Sequence, residues 1–109
     1  MHELAITESL VAAVSDTVAG ARVTRVRLAI GKLSGVAPDS VRFCFDVCAE
    51  GTVLEGALLE IEEPPGMAWC RSCHAEMALD DLIGSCRCGS TDLELRGGQE
   101  LRIREVELA

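Results

Sequence analysis

The stretch CRSCHAEMALDDLIGSCRCG, residues 70–89, constrains the fold more than any other part of the chain. Two residues separate Cys70 from Cys73, twelve more lead to Cys86, and a single residue separates Cys86 from Cys88. From 69 to 95 apolar periodicity fades, and the segment is far too short to bury a core of its own. Something other than hydrophobic burial must hold it. Zinc takes four tetrahedral ligands, and a Cys-x-x-Cys turn presents two thiolates to one ion while the chain reverses around it. Two such turns closed on one metal replace a core. The second pair is one residue tighter than the usual arrangement, so His74 is an alternative to Cys86 as fourth ligand. Redox thiols are the rival chemistry, but that motif opens a helix after a strand, and here it follows a Pro-Gly break at 64–66. The reading is structural zinc on Cys70, Cys73, Cys86 and Cys88, a closed site that holds a fold and does no chemistry.

Six cysteines could instead be disulfides in an exported protein. The N-terminus shows no basic segment leading into an apolar stretch, and nowhere do eighteen apolar residues run together. A cytoplasmic protein is expected, and in a reducing compartment paired cysteines more often mean metal. The net charge of -8 argues against nucleic acid or anionic lipid as a partner and leaves metal cations and basic protein surfaces. With 49% apolar and 26% charged residues the chain is globular in composition. Two Phe and one Trp are its only aromatics, so Val, Leu, Ile and Ala must build the core.

Outside the cysteine segment the periodicities are clear. From 3 to 19, Ile6, Leu10, Val11, Val14 and Val18 recur at helical intervals, and Gly20 closes the helix. In RVTRVRLAIG, Val26, Leu28 and Ile30 alternate with Arg25, Arg27 and Ala29, the pattern of a strand with one buried face. Pro38 and Asp39 suit the first turn of a second helix running to about residue 50, with Val41, Cys44, Phe45 and Cys48 as its buried stripe. In GALLEIEE, Ala57, Leu59 and Ile61 point inward, while Glu60, Glu62 and Glu63 belong to a solvated face. The final stretch, 100–108, reads as a strand returning to the first sheet, with a phase slip between Ile103 and Val106 that hints at a bulge or an edge position.

The opening MHE carries a second candidate site. His2 is too large for removal of the initiator Met, so the amine of Met1, the amide nitrogen of His2 and its imidazole lie within a few bonds of one another. Planar, nitrogen-rich coordination suits Ni(II) or Cu(II). Glu3 adds an oxygen donor or orients the imidazole.

The start MHE, the run IGKLSGVAPDSVRFCFDV, the segment GTVLEGALLEIEEPPG, the cysteine cluster and the closing LRIREVEL together resemble the HypA/HybF family of hydrogenase maturation nickel metallochaperones. The resemblance implies an α+β fold, with two helices packed on a small antiparallel sheet and an inserted four-cysteine, zinc-ribbon-like domain. A nickel-binding domain would span 1–66 and 97–109, and a zinc-binding domain 67–96. The resemblance also implies Ni(II) as transferable cargo on Met1, His2 and Glu3, structural Zn(II), and partners in a HypB-type GTPase and the [NiFe]-hydrogenase large subunit, with urease served in some bacteria. The family usually shows Cys-x-x-Cys in the second pair; here Ser85 stands where the first of those cysteines is expected, and Cys86 substitutes. A zinc-ribbon adaptor without transferable metal is the alternative. An enzyme is the poorest reading, because no nucleophile and base are paired and the cysteines look committed to structure.

Overall fold

The computed structural model describes residues 2–109. Helix α1 (Glu3–Val18) turns Val11 and Val14 into the core, and Thr7, also buried, returns its hydroxyl to the Glu3 carbonyl at 2.7 Å. The left-handed turn that ends α1 begins at Ala19 (φ 51°), one residue before the expected Gly20 (φ 88°). Strand β1 (Val23–Ile30) follows, then α2 (Pro38–Ala49), with Pro38 in its first turn and Asp39 placed favourably against the helix dipole.

Strand β2 (Leu58–Glu62) and the last strand, β6 (Leu101–Leu108), flank β1 in a three-stranded sheet ordered β2-β1-β6. The pair β1 and β6 is antiparallel, whereas β2 runs parallel to β1, because α2 carries the chain back across the sheet between them. One extra residue, Arg104, stands in β6 between the pairings Arg27 with Glu105 and Leu28 with Ile103. That bulge puts Ile103 and Val106, three apart in sequence, on the same core face. Val11, Val14, Val26, Leu28, Val41, Phe45 and Leu54 close the core between the helices and this sheet.

The other face of the sheet is laced with charge. Arg25 reaches Glu60, Glu105 and Glu107 at 3.2, 3.1 and 2.6 Å, and Arg27 and Arg104 each approach Glu62. Glu60 and Glu62 are thus cross-strand partners of arginines, not the merely solvated acids expected. Each such pair is worth only about 0.2–1 kcal/mol.

The segment in which periodicity faded is also a sheet. Strands β3 (Gly66–Cys70), β4 (Ala75–Leu79) and β5 (Leu93–Gly97) pair antiparallel in the order β4-β3-β5. Ala68 and Leu79 form its small apolar core, joined by Leu33 from the loop after β1. The molecule is elongated, 53 × 22 × 18 Å with a radius of gyration of 17.1 Å, against about 13 Å for a single compact body of this length.

With so few aromatics, the core rests heavily on Phe45, which is 5% exposed. Phe45→Ala should cost about 3–5 kcal/mol, a large part of the 5–15 kcal/mol typical of whole domains. Denaturant unfolding of the metal-loaded protein would measure it, and a loss below about 1 kcal/mol would show that Phe45 is not central to the core.

Candidate metal centre

Two tight turns bring the four cysteines together. In the first, the His74 amide closes on the Cys70 carbonyl at 2.8 Å and His74 takes a left-handed conformation, φ 57°. The Cys70 sulfur accepts the backbone amides of Cys73 and Ser72. In the second, the Gly89 amide donates to the Cys86 carbonyl at 2.9 Å, the Cys86 amide donates to the Ser90 carbonyl at 2.9 Å, and the Cys88 sulfur accepts the Ser90 amide. The turns are tied to one another. Arg71 pairs with Asp92 at 2.8 Å, and the hydroxyls of Ser72 and Ser90 lie 2.8 Å apart.

The sulfurs of Cys70 and Cys88 are 3.7 Å apart, those of Cys73 and Cys86 3.5 Å, and all four lie within 4.8 Å of one another. A disulfide needs sulfurs about 2.05 Å apart, so these are not bonded pairs. A tetrahedral site with metal–sulfur bonds of about 2.3 Å requires sulfur–sulfur edges of about 3.8 Å, and the donors present fit it. The Cys86 sulfur therefore belongs to the group despite the tight spacing, and Ser85 lines the groove beside it. His74 is elsewhere: its ring tilts against Trp69 with centroids 6.4 Å apart, and the guanidinium of Arg96 covers the Trp69 ring at 4.6 Å. Cys70 is fully buried, whereas Cys73 and Cys88 are exposed.

Crowding splits the thiols. The Cys73 and Ser72 amides hold the Cys70 thiol down at about 6, and the neighbouring sulfurs of Cys86 and Cys70 push that of Cys73 up to about 12. Thiolates packed this closely repel one another, and a cation at their centre would relieve that repulsion.

At the other end of the molecule, His2 is exposed, and its carbonyl accepts the Ile6 amide at 3.0 Å as α1 begins. Met1 lies outside the described residues. His2 borders two grooves, one lined by Ile6, Leu10 and Leu101, the other by Glu3, Asp39, Phe43 and Cys44. The Glu3 carboxylate accepts the Ala37 amide at 3.1 Å, pinning the start of α1 to the residue before α2. That bond lowers the Glu3 pKa below the ordinary 4.5. Of the stripe expected for α2, Val41 and Phe45 are buried, and Ala49 is the third buried residue in place of the cysteines. Cys48 packs on the edge of the core, with its thiol pushed up by burial, and Cys44 faces the groove beside His2. Nothing in the sequence pattern marks the Ala37 amide, because a backbone donor carries no side-chain signature.

Known proteins resemble this chain over nearly its full length. The family model described as "HypA: Hydrogenase/urease nickel incorporation, metallochaperone, hypA" matches residues 1–108. The hydrogenase maturation factor HypA of Trichormus variabilis is 56% identical over 108 residues, covering 99% of this chain and 96% of that protein. The protein of the same name from Geobacter sp. (strain M21) is 47% identical over 109 residues, covering 99% of each. Among solved structures, that of the Ni metallochaperone HypA from Helicobacter pylori is similar, with a TM-score of 0.68 at 25% identity, covering 99% of this chain and 97% of that one.

Two outcomes are expected. Cys86→Ala should lower the metal bound per chain while His74→Ala leaves it unchanged, counted by elemental analysis; the reverse pattern would make His74 the ligand. The Glu3 carboxylate should hold its bond to Ala37 above pH 4.5 and lose it as pH falls through its own, lower pKa, since a depressed carboxylate stabilises the fold only while ionised. An Ala37 amide resonance titrating with a midpoint below 4.5, and flat in Glu3→Gln, would show this; a midpoint at 4.5 or above would refute it.

Proposed function

Because the chain belongs to the HypA family of hydrogenase/urease nickel-incorporation metallochaperones, we propose that it carries Ni(II) on its N-terminus and hands it over for [NiFe]-hydrogenase maturation. The ligands are the Met1 amine, the His2 amide nitrogen and the His2 imidazole, a planar nitrogen set of the kind Ni(II) prefers. Supporting this reading is the position of His2, exposed where two grooves meet, with the Glu3 carboxylate ionised and anchored beside it. Three nitrogen donors leave one position that solvent or a recipient's ligand can enter, which suits a site that must release what it binds. The work is capture and transfer, so the chain is a carrier and not an enzyme.

The four-cysteine group holds zinc, whose four bonds supply on the order of ten kcal/mol to a segment with hardly any core. Around this pair of sites the chain divides into a nickel unit, 1–66 with 97–109, and a zinc unit, 67–96. Cargo passes in concert with a HypB-type GTPase to the hydrogenase large subunit. The acidic surface favours basic docking faces. Among the described residues no helix is long and apolar enough to cross a membrane; we assign the work to the cytoplasm, where paired thiols stay reduced and available to metal.

The decisive measurement is a calorimetric nickel titration of the zinc-loaded protein. His2→Ala, or an extension of several residues before Met1, should weaken nickel binding at least about a hundredfold, the loss of some 3 kcal/mol of ligation, with zinc content and circular dichroism unchanged. Native affinity in both variants would favour the zinc-ribbon adaptor that carries no cargo.

A further inference from the structure

The loop joining β1 to α2, residues 31–37, is anchored at its two ends to the two candidate sites. Its first half is stitched to the connections between the sheets. The Gly31 amide donates to the Glu100 carbonyl at 2.7 Å, the Lys32 amide to Pro64 at 2.9 Å and the Leu33 amide to Gly98 at 2.6 Å. The Leu33 side chain turns away from the first core and packs with Ala68 and Leu79 in the second, 5% exposed. The seat is close-fitting. A Cβ on Gly66 would overlap the Leu33 side chain and the Leu79 carbonyl, and one on Gly98 would overlap the backbone of Gly66. Gly98 is also left-handed, at φ 98°.

The second half of the loop belongs to the nickel side. The Ser34 hydroxyl accepts the Val36 amide at 3.2 Å, and Val36 is buried in the first core. One residue later, the Ala37 amide holds the Glu3 carboxylate. Four residues of chain thus connect a side chain seated in the cysteine-bearing sheet to the backbone donor that places a carboxylate beside His2.

We propose that Leu33 is a positioning residue: seated in the cysteine-bearing sheet, it fixes the loop 31–37 and, through the Ala37 amide, the Glu3 carboxylate beside His2. This rests on the nickel reading of His2 and Glu3. Among the described residues the second sheet buries the side chains of Ala68, Cys70 and Leu79, with Leu33 joining them from the loop, too little apolar area to hold its shape without the thiolate cross-link. Loss of that cross-link unseats Leu33, frees the loop and releases Glu3.

The test compares zinc-loaded native protein with Leu33→Ala and with Leu33→Met, which conserves volume. In Leu33→Ala nickel affinity should fall about fivefold or more, and the Ala37 amide resonance should move toward its position in Glu3→Gln, while zinc content stays at the native level. Leu33→Met should restore both. Zinc removal opens the sulfurs to nickel, so it is read through the Ala37 resonance alone, which should move as it does in Leu33→Ala. Should Leu33→Ala not fold, Leu33→Val serves as the milder truncation. Native nickel affinity and a native Ala37 resonance in a zinc-loaded truncation would overturn the proposal. If His2→Ala leaves nickel binding intact, the nickel reading fails by itself, and the Ala37 resonance still decides whether Leu33 positions Glu3.

Discussion

Four sulfurs around one point, at edges of 3.5 and 3.7 Å, are the constraint on which the rest of the molecule depends. Only Cys70 stands in a strand, the other three lying in turns, and the sheet's Ala68 and Leu79 join Leu33 in a small core against which Met77 and Leu93 are partly buried. Apolar burial on that scale yields a few kcal/mol, less than the backbone ordering of some thirty residues costs. The same closeness is seen electrostatically at Cys73, whose thiol is pushed up by the neighbouring sulfurs of Cys86 and Cys70.

The other end of the molecule is held by ordinary burial, achieved with aliphatic side chains and Phe45 beneath two helices. Arginine–glutamate pairs cover the opposite face of the sheet, so the apolar side chains are concentrated on the core side. Its two outer strands carry charged side chains, which discourage edge-to-edge association. The contrast between the halves is functional as well as structural. One end gathers four sulfurs within 4.8 Å of one another, and the other leaves His2 exposed at the start of α1.

Most of the first unit was legible because a helix or strand with one buried face writes its period into the sequence. Val26, Leu28 and Ile30 marked β1, and the slip between Ile103 and Val106 marked a bulge that is present at Arg104. The strands β3 to β5 were not legible. The buried positions of β3 are Gly66, Ala68 and Cys70, too small to mark an apolar period, β4 and β5 bring only Met77, Leu79 and Leu93 to the core, and the core neighbour Leu33 lies more than thirty residues before β3. In α2 the expected Val41 and Phe45 are buried and Cys48 lies at the core's edge, but Cys44 passes for a core residue in composition while Ala49, too small to stand out, takes the inner position.

The sequence by itself determined the chemistry. The spacing of Cys70, Cys73, Cys86 and Cys88 specifies a thiolate metal site, and MHE places an imidazole beside a main-chain nitrogen, because ligand identity and short-range spacing are local properties. Tertiary structure decided what no local pattern encodes. It showed that the Cys86 sulfur joins the group while the His74 ring turns to Trp69, that β2 lies parallel to β1, that Glu3 is held by the Ala37 amide, and that Leu33 joins the two halves. Each of these depends on groups distant in sequence, or on backbone donors without side-chain identity, and such contacts are settled only when the chain packs.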